Sequence, residues 1–107
     1  MGNRAVDFSG SFTLQTGYDG GSSILIPLFR MFKQLNISAS GGSTEYPMSI
    51  GVNGYRDDGT EVSLAGGNAP SFTKNNIDIH DYKYIRIGTY RSGSGLWKWS
   101  GSYNLKV

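Results

Sequence analysis

His80 is the only histidine in the chain, and Asp81 follows it directly. A histidine beside a carboxylate is part of the apparatus of acyl transfer, which also needs a nucleophile that the base can activate. The chain has no cysteine, and no serine stands in a Gly-x-Ser-x-Gly elbow, so the sequence offers no such nucleophile in a recognisable setting. His80 reads as a turn residue at the entrance to a strand. Hydrolysis by paired carboxylates would need two of the eight acids to converge, and most of them stand where a turn or a solvated face explains them. No catalytic residue is assigned and no enzyme is expected. No cofactor is expected either. Asp57-Asp58-Gly59 lacks the spaced oxygen ligands of a calcium loop and is explained by a hairpin turn, and Asp19 and Asp78 are the acids that a calcium ion held between loops would use. Gly20-Gly21 and Gly41-Gly42 lack the Gly-Lys-Ser/Thr ending of a phosphate loop.

The aromatic residues give a better lead. Tyr18 in a glycine-rich loop, Tyr46 before Pro47, Tyr55 beside a turn and Tyr90 next to Arg91 stand at loops or strand ends. Tyrosine there offers a rigid face with one polar tip, suited to stacking on a sugar or anchoring a protein contact; partial burial at a sandwich rim is the alternative. Trp97 and Trp99 share a strand face with Tyr103 and Leu105 and read as core. The formal charge of +2 hides an asymmetry, because from Tyr82 onward there are five bases and no acid. Lys83, Arg86, Lys98 and Lys106 form a candidate basic face. Interleaved with aromatics, it is what a binder of single-stranded nucleic acid would use, but a net +2 is small for that role. Cross-strand neutralisation is the competing explanation.

The elements that must position these groups are strands. The chain has 107 residues, 16 of them glycine and 14 aromatic, which suits short strands and tight turns rather than helices. Its length fits a single domain over residues 1–107. Alternation predicts strands around Phe8–Leu14, Ile24–Leu28, Leu35–Ala39, Met48–Val52, Val62–Leu64, Tyr82–Tyr90 and Trp97–Val107. Asp58-Gly59 predicts a hairpin joining the fourth and fifth of these. Residues 65–76 read as a loop, and the last two strands as a second hairpin. Over residues 28–36 the spacing of Leu28, Met31, Phe32 and Leu35 suits a helix, yet composition favours a strand. Gly10, Gly51, Gly88 and Gly101 fall inside strands, where bulges or close backbone approach account for glycine. The start carries no apolar signal segment and no stretch is long enough to span a bilayer. Without cysteines, a reducing compartment or an assembly is expected.

Ile24-Leu25-Ile26-Pro27-Leu28, Phe32-Lys33-Gln34-Leu35-Asn36-Ile37-Ser38, the segment Ile50 to Thr60 and Tyr84-Ile85-Arg86-Ile87 together resemble discoidin-like, galactose-binding-type jelly rolls. The resemblance implies a ligand site in loops at one end. Ile77-Asp78-Ile79-His80-Asp81-Tyr82-Lys83-Tyr84-Ile85-Arg86-Ile87 is similar to segments of small β-sandwich modules of bacteriophage virions. The reading is an all-β, single antiparallel β-sandwich of jelly-roll type with seven to eight strands. It is expected to act as a structural or adhesive virion module, as a capsid decoration or a tail or baseplate component. Its partners would be other virion proteins or copies of itself. A carbohydrate-binding module meeting cell-surface glycans through Tyr18, Tyr55, Tyr90 and Arg91 is the alternative, and nucleic-acid binding the next. The expected location is the virion, assembled in the host cytoplasm, or else a secreted form whose signal has been removed.

Overall fold

The computed structural model describes residues 6–16, 22–41, 48–68, 70–91 and 97–107, with the backbone alone at 16, 48, 90, 91 and 97. The strands are β1 (Phe8–Thr16), β2 (Ser22–Pro27), β3 (Gln34–Gly41), β4 (Met48–Tyr55), β5 (Glu61–Asn68), β6 (Ser71–Asp78), β7 (Tyr84–Arg91) and β8 (Trp97–Lys106). They form two four-stranded antiparallel sheets, ordered β1-β8-β3-β6 and β2-β7-β4-β5. This is jelly-roll connectivity, in which consecutive strands alternate between sheets except at the β4–β5 hairpin. Period-two alternation explains the packing. Leu14, Ile37, Val52, Ile87, Trp99 and Leu105 turn inward from both sheets and lose nearly all contact with solvent. On β7, where alternation alone leaves the buried side open between the tyrosine set and the isoleucine set, Ile85, Ile87 and Thr89 form the inner one.

The β4–β5 hairpin forms as expected. Arg56 N donates to Thr60 O at 3.0 Å and Gly59 N to Arg56 O at 2.9 Å, with Gly59 at φ 90°, a conformation glycine adopts without Cβ strain. Asp58 Oδ1 accepts from Thr60 N at 2.8 Å.

Three expectations are corrected. The expected loop over 65–76 is instead the end of β5, which runs to Asn68, and most of strand β6 from Ser71; on β6 only Phe72 is deeply buried, because it is an edge strand whose polar residues meet solvent. The hydrophobic signal of such a strand is too sparse to read. Residues 28–33 are neither helix nor strand. Met31 N reaches Leu28 O at 3.2 Å across a turn whose central residues, Phe29 and Arg30, have φ 53° and 60°, as in a type I′ turn. Pro27 closes edge strand β2, and the sharp reversal lets Gln34 start β3 in the opposite sheet. Left-handed backbone at non-glycine residues costs on the order of 1 kcal/mol each, and Arg30 is tied down by an ion pair with Asp57 on the neighbouring hairpin turn. Finally, β7 and β8 do not pair as a hairpin. They lie in opposite sheets, because a jelly roll returns its last strand between β1 and β3.

Candidate ligand-binding site

The outer face of the β2-β7-β4-β5 sheet carries a row with almost no side chains. Ser23 pairs with Gly88, Gly88 with Gly51, and Gly51 with Gly66, so the row crosses all four strands. Four strands at about 4.8 Å spacing make it about 14 Å long. The neighbouring row holds Leu25, Arg86, Asn53 and Ser63, and the row beyond it Pro27, Tyr84, Tyr55 and Glu61. Between the side chains lies a trough of about 450 Å³ lined by Ser22, Ser23, Gly51, Asn53, Arg86 and Gly88 among others.

The reason for glycine in this row differs from its reason elsewhere. A Cβ at Gly10 would stand 2.5 Å from the Tyr103 ring, at Gly54 2.6 Å from Tyr82, and at Gly67 2.5 Å from Phe72, so those glycines make room for aromatic rings. At Gly51 and Gly66 a Cβ would meet nothing closer than 3.6 and 3.5 Å, and at Gly88 nothing closer than 3.3 Å. None of the three has a positive φ. At Gly51 and Gly66 neither packing nor backbone conformation asks for glycine, whereas a Cβ at Gly88 would require Ser23 to give by a few tenths of an ångström; a glycine inside a strand costs about 0.5–1 kcal/mol. What the absent side chains leave is a bare backbone floor that a ligand can approach closely.

One wall of the trough is held in place by Glu61. Its Oε2 accepts hydrogen bonds from Asn53 Nδ2 at 2.6 Å, Tyr55 OH at 2.7 Å and an Arg86 guanidinium nitrogen at 2.8 Å. The hydrogen bonds from Tyr55 and then Asn53 hold the Glu61 carboxyl below its ordinary range, with the charge of Arg86 a smaller contribution. The bond to Glu61 in turn pushes the Tyr55 phenol up. Tyr55 and Tyr84 stack at 4.7 Å between centroids and 20° between planes, and Arg86 lies 5.8 Å from the Tyr55 ring. The network fixes Arg86 and Asn53 at the trough's lip and engages one Arg86 nitrogen, so the ordering cost of using its other N–H donors is reduced.

Of the residues singled out from sequence, Tyr55, Arg86 and Lys83 come together here, with Lys83 Nζ 5.5 Å from the Tyr84 ring. Tyr90 and Arg91 end β7 opposite Ser49 and Met48, two and three register positions beyond Gly88, and are described in backbone only. Tyr18 and Tyr46 lie outside the described residues. The four bases do not share a face. Lys98 and Lys106 belong to β8 in the opposite sheet, so the basic run of the sequence is divided between the two sides of the sandwich. Gly66, Asn53, Ser23 and the role of Glu61 escaped the sequence reading. Gly51 and Gly88 were visible as glycines inside strands, but only the register shows them to be neighbours.

His80 stands apart from the trough. Its Nδ1 meets Asp78 and its Nε2 lies 3.1 Å from Asp81, so both ring nitrogens already face carboxylates rather than a hydroxyl nucleophile. Among the described residues no three His, Cys, Asp or Glu side chains gather as a metal site, and no helix is long and apolar enough to cross a membrane. Asp19 lies outside the described residues.

No family model matches the chain and no curated protein matches it. Solved structures do. The Yersinia pseudotuberculosis-derived mitogen is similar with a TM-score of 0.61 at 9% identity, over 95% of this chain and 87% of that one. The enzymatically active domain of bacteriophage CBA120 tailspike protein 4 gives 0.58 at 13% identity, over 98% of this chain but 18% of its own. The VP2 subviral particle of infectious bursal disease virus gives 0.57 at 12% identity, over 94% and 32%. At these identities the likeness is one of fold, and it joins the strand order in defining a jelly-roll sandwich.

Proposed function

We propose that the chain is a non-enzymatic adhesive module that binds a saccharide chain across the outer face of the β2-β7-β4-β5 sheet. The observation that carries this reading is the row Gly88–Gly51–Gly66, a backbone floor in which neither Gly51 nor Gly66 is explained by packing or backbone conformation. The row is bare from edge strand β2 to edge strand β5 apart from Ser23, and the trough lies over its β2, β7 and β4 members, which suits a short stretch of an extended chain. Arg86 is offset by Glu61, which favours a neutral ligand rich in hydroxyls, with Asn53 and Arg86 as hydrogen-bonding groups. The site is thus moved from the loop end implied by the discoidin-like resemblance to the sheet face. No cofactor is required by this mode of binding. A glycan array probed with the wild-type chain and with Gly51→Val tests it: the wild type is expected to retain neutral glycans that the variant loses. Equal retention by both, or no retention by the wild type, would overturn the reading.

A virion is the proposed setting, in a decoration, tail or baseplate position, supported by a fold that viral and phage proteins share with this chain. The division of the bases between the two sheets works against a nucleic-acid track, since a strand on one face would meet only part of the charge.

A further inference from the structure

Three of the four sheet edges carry features that discourage another strand. β6 has Lys74, a register shift against β3, and Asn76 in the left-handed region at φ 59°. β2 is only six residues long and ends on Pro27, and β5 has a register shift against β4. β1 has none of these. It runs nine residues, Phe8–Thr16, without charge, proline or break in its register with β8, and among the described residues no backbone bond reaches its outer side. Such an edge is a template for strand addition. Beside it Phe8, Leu25 and Phe29 are 52%, 61% and 72% exposed, and with Met31 and Tyr103 they surround a cavity of about 270 Å³. These side chains present roughly 400 Å² of apolar surface. The turn that holds Phe29 outward is the one with two non-glycine residues in left-handed conformation, and strain of that kind clusters at functional sites.

We infer that a second copy of this chain occupies this flank, the two β1 strands pairing antiparallel about a two-fold axis near Gly10. A stable interface buries about 800 Å² on each partner, which the apolar cluster alone does not supply, so the β1 edge must contribute the rest. A two-fold at the Phe8 end of β1 brings both clusters to the axis, whereas one at the Leu14 end would leave them apart. Phe8 then stands opposite Phe12 of the second copy and Ser9 opposite its Ser11, so no like charges meet. This pairing is independent of any ligand in the trough.

Light scattering coupled to size exclusion tests the inference at high micromolar concentration. The expected mass is twice that of the chain, falling to the single-chain mass in Ser9→Lys/Ser11→Lys and in Phe29→Asn. Both variants keep the monomer fold, the first because both serines are exposed and the second because asparagine tolerates the left-handed turn. The chain has no cysteine of its own, so Ser9→Cys/Ser11→Cys is expected to oxidise to a covalent dimer on a non-reducing gel. A wild-type monomer, or a dimer that survives both variants, would overturn it.

Discussion

Gly51 on β4 and Gly88 on β7 are register partners on the outer face of one sheet, and a Cβ added to Gly51 would meet only ordinary contacts, the nearest at 3.6 Å. Valine at position 51 should therefore improve the strand and fill the trough at once. Gly51→Val is expected to raise unfolding free energy by about 0.5–1 kcal/mol while removing glycan retention. Denaturant unfolding and the glycan array measure the two effects separately, and a loss of stability would show that glycine serves the fold there after all.

The same strand contains the opposite case. At Gly54 the Tyr82 ring lies where a Cβ would go, 2.6 Å away at its nearest atom. Gly54→Ala must displace that ring from its place against the core, and a loss of about 1–3 kcal/mol is expected by chemical denaturation. Glycan binding should persist under conditions where the variant is folded.

Glu61 organises the wall of the trough, so Glu61→Gln should release Tyr55. The phenol is held up chiefly by its hydrogen bond to Glu61, and the variant should bring its titration back toward the ordinary tyrosine value. An NMR titration of the labelled tyrosine rings would show this. Ligand affinity should fall by about tenfold through the loss of a fixed Arg86, on the scale of one charge-assisted hydrogen bond. An unchanged Tyr55 titration would mean that the network does not form in solution.

The exposed loop between β6 and β7 should carry a small pH dependence. His80 is raised above its ordinary value of 6.5, chiefly by its hydrogen bond to Asp78 and then by the charges of Asp78 and Asp81. Asp78 is lowered, chiefly by the same bond to His80. The raised histidine contributes stability that is present in full below pH 6.5 and is lost as pH rises through its folded-state value. The lowered carboxyl contributes stability present above the usual carboxylate range and lost as pH falls through its own depressed value. Thermal unfolding of the wild type and His80→Gln should differ most between those limits and converge at alkaline pH. A constant difference across pH would rule out the ionic contribution.

The sequence by itself determined the all-β class, the inward sets on β3, β4 and β8, and the Asp58-Gly59 turn. Each of these is written in local alternation or in the backbone preference of one residue. It determined neither β6, whose polar edge leaves little alternation, nor the reversal at Phe29 and Arg30, where burial of the flanking Leu28 and Phe32 and the ion pair of Arg30 to Asp57 accompany a conformation that their residue types disfavour. Tertiary structure also decided which bases are neighbours, parting Arg86 from Lys98, and set Glu61 beside Tyr55 and Arg86. Gly51, Gly66 and Gly88 come from three strands separated by turns, and only their hydrogen-bonded register aligns them into one floor. A site assembled across strands is a property of register, and register depends on how the inner faces of both sheets pack together.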